Sequence, residues 1–152
     1  MKLPSPGPGA ALLACCLLRL TACWAIDNPD SPDLLGTFQA RCLQYESAIQ
    51  AQTTTAQIAS ASASYASFLD QELNRSYSRL LKRVSGSAHD ALIGSQRRWL
   101  QYRNAETAFI ETNWTLDNFG TSAALSRGQY RALLVRQRVE TLLQYLRNYG
   151  GP

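Results

Sequence analysis

From Leu34 onward the apolar residues recur at steps of three and four, and no stretch alternates between apolar and polar residues as a half-buried strand would. The longest such pattern begins near Thr54 and presents one apolar face for about eight helical turns. Its stripe consists of Ile58, Ala61, Tyr65, Leu69, Leu73, Tyr77, Leu80 and Val84. The periodicity therefore predicts an all-α fold organised around this long second helix.

A first helix is predicted before it, from about Leu34 to Gln50. Its apolar stripe consists of Leu35, Phe38, Cys42, Tyr45 and Ile49. The second helix starts at Thr54, whose hydroxyl can accept the free amide of Gln57 while the Gln57 side chain reaches back, as in a capping box.

Two more helices are predicted after a break at Ser85-Gly86. Ser87 and Asp90 form a second capping signature, and residues 113–120 predict a turn or loop after the third helix. The apolar side of the third helix consists of Leu92, Trp99, Tyr102, Phe109 and Ile110. The fourth helix carries Tyr130, Leu133, Leu134, Leu142, Tyr145, Leu146 and Tyr149, and ends at two glycines. The four helices predict a small antiparallel bundle in which helices two and three form a long hairpin.

The first 25 residues have the order of a bacterial secretion signal. Lys2 begins a short positive region, residues 10–18 form an apolar core, and small residues follow. Two cleavage sites remain open: one after Ala25, and one before Cys23, which would make Cys23 a lipidated N-terminus. The sequence predicts a signal peptide over 1–25, a polar linker over 26–33 and a helical domain over 34–152. The product is periplasmic or secreted, or alternatively a membrane-anchored lipoprotein.

The charge of the mature chain argues against a nucleic-acid partner. Without Lys2 and Arg19 of the leader, thirteen basic residues remain against eleven acidic ones. No run of Lys or Arg is longer than a pair. The chain lacks the basic footprint that binding to phosphate backbones requires.

Two polar segments of helices two and three resemble a known pattern. Residues 70–81 read DQELNRSYSRLL and residues 96–109 read QRRWLQYRNAETAF. They are similar to D-x-x-L-N-x-x-Y-x-x-L-L and W-L-x-Y-R-x-A-E-x-x-F of the lysozyme inhibitor LprI-like N-terminal domain family, which comprises small exported bacterial helical domains. The resemblance covers about residues 54–143. The positions that carry it are Asp70, Leu73, Asn74, Tyr77, Trp99, Tyr102, Arg103, Glu106 and Phe109.

Spacing within the two segments predicts a polar network. Asp70 and Asn74 share one helix face, as do Trp99, Arg103 and Glu106. A hairpin of helices two and three would bring the two faces together. Because buried polar groups need partners, we expect Arg103 to pair with Glu106 or Asp70, backed by Trp99 and Tyr102. The network is either a structural clasp that fixes helix register or part of a partner site.

The resemblance also implies four cysteines in two disulfides, and here this chain departs from the family. Thr107 stands at one of those positions, and the others fall near Ile49, Ala61 and Tyr130. The mature chain keeps Cys42, together with Cys23 if cleavage precedes it. No intrachain disulfide is expected, and Cys42 is predicted to be a buried small apolar side chain.

The sequence predicts a binding protein without catalytic residues, metal or cofactor. A single histidine, His89, and one cysteine of the helical domain give neither a nucleophile triad nor the spacing of metal ligands. The resemblance implies a protein partner in the cell envelope and inhibition of lysozyme-type muramidases. The alternative is a periplasmic scaffold without lysozyme-related activity. Because lysozymes are commonly cationic, a lysozyme partner would need a local acidic patch on this chain, such as the tail aspartates 27, 30 and 33 or Asp117.

Overall fold

The computed structural model describes residues 32–149. They form four long helices, α1 (Leu34–Gln50), α2 (Thr55–Leu81), α3 (Gly86–Asn113) and α5 (Ala123–Arg147). The short helix α4 (Leu116–Phe119) and a 3-10 turn (Gly120–Ser122) join α3 to α5. Residues 32–149 contain no strand, and the predicted all-α helical bundle is confirmed. The predicted leader, both cleavage sites, Cys23 and linker residues 26–31 lie outside the described residues.

The centre of the bundle lies between α2 and α5, which pack along each other, while α1 contacts both. The buried cluster consists of Phe38, Cys42, Tyr65, Phe68, Leu69, Leu73, Leu80, Val135, Val139, Leu142 and Leu143. Every residue of the two stripes predicted for α1 and α2 is buried or half-buried, so both predictions are confirmed. Cys42 is fully buried, also as predicted.

The face predicted for α5 is wrong in part. Tyr130, Leu133, Tyr145 and Tyr149 are exposed, whereas the helix buries Val135, Val139, Leu142 and Leu143. The cause lies in runs such as residues 132–135 (ALLV), which place apolar side chains on two neighbouring faces of one helix. The face that meets α2 carries the valines, and the other face is left at the surface.

The helix α3 packs more closely against α5 than against α2. It buries only Gln96 and Ile110, while Leu92 and Trp99 are half-buried. The predicted placement of Tyr102 and Phe109 on its apolar side is therefore wrong, since these side chains are 52% and 58% exposed.

Of the two capping patterns that predicted helix starts, the one at Thr54 is confirmed and the one at Ser87 is wrong. The Gln57 amide donates to the Thr54 hydroxyl at 3.3 Å, which confirms that cap, although the Gln57 side chain meets the hydroxyl and not the backbone amide. The predicted cap at Ser87 is wrong, because α3 already begins at Gly86, whose φ of +55° suits glycine. The loop predicted over 113–120 contains α4, which Thr115 caps. None of the helices between residues 32 and 149 is long and apolar enough to cross a membrane.

Candidate functional site

The nine motif positions do not assemble into the predicted network. Asp70 and Asn74 are exposed on α2, and Arg103 donates instead to its neighbour Asn104 at 3.3 Å. The expected pairing of Arg103 with Glu106 or Asp70 is wrong. Asp70 lies on α2, whereas α3 packs mainly on α5, and the Arg103 guanidinium contacts Asn104 and the Trp99 ring instead of Glu106. Of the remaining positions, Leu73 is buried and Tyr77, Trp99 and Glu106 are half-buried.

The contact that fixes α3 on α5 uses Arg138, which the motif does not include. Its Nε and Nη2 donate to Oε1 of the buried Gln96 at 3.1 and 3.0 Å, and Nη2 also reaches Ser95. Burial lowers the pKa of Arg138. The guanidinium groups of Arg138 and Arg103 lie 5.7 and 5.5 Å from the ring centre of Trp99. Trp99 thus contributes to this helix contact through cation–π interactions.

A polar cluster joins α1, α2 and α5, and we call it the three-helix cluster. It consists of Glu46, Tyr65, Arg136 and Glu140. Oε1 of Glu46 accepts hydrogen bonds from the Tyr65 hydroxyl at 3.0 Å and from Nη1 of Arg136 at 2.6 Å. Arg136 also donates through Nε to Glu140 at 3.1 Å. The three charged side chains are between 24% and 33% exposed, so the cluster is half-buried.

The sequence does not predict this cluster. Ninety positions separate Glu46 from Arg136 along the chain, and their pairing depends on how α1 packs against α5. The only local signal was the spacing of four between Arg136 and Glu140 on one helix face.

Burial disfavours the ionised forms of two side chains, Tyr65 of the three-helix cluster and Cys42, which is hydrogen-bonded to Tyr65. It raises the pKa of Tyr65, and hydrogen bonds to Cys42 and Glu46 raise it further. Burial likewise raises the pKa of the Cys42 thiol. For Arg136, burial alone would lower the pKa, but the hydrogen bond to Glu140 and the charge of Glu46 outweigh it and raise the pKa overall. Cys42 and Tyr65 therefore stay protonated at physiological pH.

These shifts predict that the protein loses stability in alkaline solution. In the unfolded chain Cys42 and Tyr65 ionise near their ordinary pKa values, about 8.5 and 10, whereas the folded chain keeps both protonated. The folded state then binds more protons, so the free energy of unfolding should fall above about pH 9, by up to about 1.4 kcal/mol per pH unit and group. Urea unfolding at a series of pH values measures this slope. Tyr65→Phe should flatten it above about pH 10, and an unchanged slope in that variant would contradict the role of Tyr65.

Beside the cluster, a cleft of about 360 Å³ opens between α1, α2 and the first half of α5. Three of its lining residues, Ser62, Gly128 and Ala132, have small side chains or none. A Cβ atom added at Gly128 would meet nothing within 4 Å. The space thus remains because small residues stand where the helices face one another.

The lining of the cleft is mainly apolar, and it includes two charged side chains. Ile49, Leu125 and Leu133 contribute apolar side chains, and Glu46 and Arg136 of the three-helix cluster line the cleft as well. A concave site with an apolar lining and a few oriented polar groups is the usual form of a binding site.

An exposed aromatic surface adjoins the cleft, and it consists of Phe109, Trp114, Leu116, Phe119, Tyr130 and Leu133. The half-buried Trp114 lies at its centre, with the rings of Tyr130, Phe119 and Phe109 at 4.5, 5.8 and 5.9 Å between centroids. Arg127 donates to the Trp114 carbonyl and holds this corner to α5. The other members are between 43% and 68% exposed. Tyr130 and Leu133 belong to both the aromatic surface and the lining of the cleft.

The possible metal ligands of the described residues do not cluster. Residues 32–149 contain no group of three His, Cys, Asp or Glu side chains that could hold a metal ion. His89 lies in the first turn of α3, with Nδ1 at 3.4 Å from the Asp90 carboxylate. The structure thus presents a cleft and a surface suited to binding.

The comparison with known proteins agrees with the motif. The profile of one protein family, described as "Lysozyme inhibitor LprI", matches residues 46–142. No curated protein and no solved structure matches the chain at a significant level. The matched range contains the three-helix cluster, the cleft and the aromatic surface. Since it covers more than half of the sequence, the chain belongs to the lysozyme inhibitor LprI family.

Proposed function

We propose that this protein is exported to the cell envelope, where it binds a lysozyme-type muramidase through the aromatic surface and inhibits it. The observation that carries the proposal is the aromatic surface itself. Three aromatic rings, those of Phe109, Phe119 and Tyr130, contact Trp114, and the members other than Trp114 are exposed. Patches of this kind mark interaction sites, and aromatic residues dominate the binding energy of protein interfaces.

The residues of the motif divide between structure and binding. Leu73, Tyr77 and Trp99 pack against the core, which supports a structural role for them. Phe109 belongs to the aromatic surface and Tyr102 is exposed on the same helix, which supports contact with a partner. We therefore assign a structural role to Leu73, Tyr77 and Trp99 and a partner contact to Tyr102 and Phe109.

Export is the part of the proposal that rests on the leader. The predicted signal peptide and the family support it. Cleavage after Ala25 gives a periplasmic or secreted protein, and cleavage before Cys23 gives a lipoprotein on the membrane. In both cases the helical domain faces the compartment in which a lysozyme attacks the cell wall.

An assay of wall digestion tests the proposed inhibition. Purified residues 26–152 are added to a lysozyme that is clearing a suspension of bacterial cell walls, and the rate of clearing should fall to a low limit at saturating protein. Digestion of the same walls by an amidase is the control, because it should stay unchanged. If both enzymes slow, the protein coats the wall. If lysozyme keeps its full rate while the protein captures an envelope partner reproducibly, the scaffold function is favoured.

A further inference from the structure

We infer that the cleft between α1, α2 and α5 receives a lysine or arginine side chain of the bound protein partner. This inference rests on the proposed function, since it assigns one anchoring contact of the protein–protein complex. It commits to a cationic side chain with a long apolar stem. Three features of the cleft support this: its charge, its shape and its position.

The charge of the three-helix cluster is unbalanced. Glu46 and Glu140 both pair with Arg136, so two carboxylates face one guanidinium group. Both hydrogen bonds of Glu46 end on Oε1, and its Oε2 accepts none from residues 32–149. The Glu46 side chain lines the cleft and is 33% exposed, so a donor that enters the cleft lies beside a carboxylate with an oxygen that has no partner among residues 32–149. A cation balances the excess negative charge, whereas an acidic group would add to it.

The shape of the cleft fits the side chain of a basic residue. Ile49, Leu125 and Leu133 give apolar surface against which an aliphatic stem packs while its charged head reaches Glu46. The ring of Tyr130 also lines the cleft, and such a ring attracts ammonium and guanidinium groups. A second cleft, of about 400 Å³ between Leu80, Val84 and Tyr145, has no charged side chain in its lining. The preference for a cation therefore distinguishes one cleft from the other.

The position of the cleft connects it to the proposed contact surface. A partner that covers the aromatic surface lies over Tyr130 and Leu133, which also line the cleft. A cationic lysozyme gains little from the overall charge of this protein, because basic residues outnumber acidic ones. Glu46 lines the cleft and shares its only charged partner, Arg136, with Glu140, so its carboxylate supplies a local acceptor that the net charge lacks.

A small probe tests the cleft without any protein partner. Butylguanidinium, titrated into residues 26–152, should shift the backbone NMR signals of cleft residues such as Ile49, Gly128 and Ala132. Butylurea, which has the same stem and no charge, should shift them at least about fivefold less at equal concentration. Shifts that are equal for both probes, or that lie outside the cleft, would overturn the inference.

Two pairs of matched variants complete the experiment. Glu46→Gln keeps an acceptor for Tyr65 and removes the charge, and it should weaken butylguanidinium binding about tenfold. Its control is Glu72→Gln, which removes the carboxylate paired with Arg41 and Arg75 and should leave butylguanidinium binding unchanged. Gly128→Leu should block the cleft, and Gly94→Leu is its control, because an added Cβ meets nothing within 4 Å at either glycine.

The same variants separate this inference from the proposed function. If the probe binds at the cleft as expected but lysozyme neither binds nor is inhibited, the preference of the cleft for a cation stands and the proposed partner is wrong. If lysozyme is inhibited equally well by wild type, Glu46→Gln and Gly128→Leu, the proposed function stands and the inferred anchoring contact is wrong.

Discussion

Replacing Arg136 with Met should lower the free energy of unfolding by about 2 to 3 kcal/mol. The change leaves Glu46 and Glu140 without the guanidinium that both carboxylates contact. Loss of one partner from a fully buried ion pair costs about 3 to 5 kcal/mol, and an exposed pair contributes less than about 1 kcal/mol. The three charged side chains are 24% to 33% exposed, so the expected cost lies between these limits and nearer the buried one.

Chemical unfolding of the variant, monitored by circular dichroism, measures this loss. Arg75→Met is the matched control, because Arg75 pairs with Glu72 on the surface of α2 with its side chain 54% exposed, and it should cost less than about 1 kcal/mol. Adding Glu46→Gln and Glu140→Gln to Arg136→Met should recover much of the lost stability, since no unpaired charge then remains. Equal costs for Arg136→Met and Arg75→Met would show that the three-helix cluster behaves as an ordinary surface network.

The sequence predicts α1 and α2 well because each carries a single apolar stripe. On α2, the steps from Ile58 to Val84 follow one face without competition from a second apolar face. Every residue that the periodicity places on this face is buried or half-buried in the structure. Phe68, which the predicted stripe omitted, is also buried, because it stacks on Phe38 and Tyr45 of α1.

The outer faces of α3 and α5 were predicted wrongly for a common physical reason. Periodicity identifies apolar faces but does not show which of two faces meets the core. On α5 the valines at 135 and 139 do so, and the tyrosines at 130 and 145 do not. On α3, Phe109 has apolar spacing yet is 58% exposed, with its ring beside that of Trp114. Phe109 and Tyr130 belong to the aromatic surface. This surface therefore arises from the apolar faces that the prediction wrongly placed in the core.

The polar contacts between helices also depend on which helices pack together. The motif lies on α2 and α3, and it suggested that the polar faces of these two helices meet. The structure packs α2 and α3 mainly against α5, and Arg136 and Arg138 of α5 make polar contacts to α1 and α3. Local spacing cannot reveal such contacts, because their partners lie 42 or more positions away.

Exchanging Phe109 and Leu116 together for serine should raise the Kd for lysozyme about a hundredfold. Both side chains are prominent on the aromatic surface, with 58% and 68% of their area exposed. A few large apolar side chains at the centre of an interface carry most of its binding energy. Because both residues lie at the surface of the free protein, the free energy of unfolding should change by about 0.5 kcal/mol or less per substitution.

Binding calorimetry with a cationic lysozyme measures the Kd, and Leu43→Ser is the control. Leu43 lies on α1, is 59% exposed and is not a member of the aromatic surface, so this substitution removes an apolar side chain like that of Leu116 and should leave the Kd unchanged. If the double variant binds as tightly as wild type, the partner contacts another face and the aromatic surface is not its site. If Leu43→Ser weakens binding as much as the double variant does, the loss reflects general apolar area and not this patch. A hundredfold loss confined to the double variant would place the contact at the corner where α3, α4 and α5 meet around Trp114.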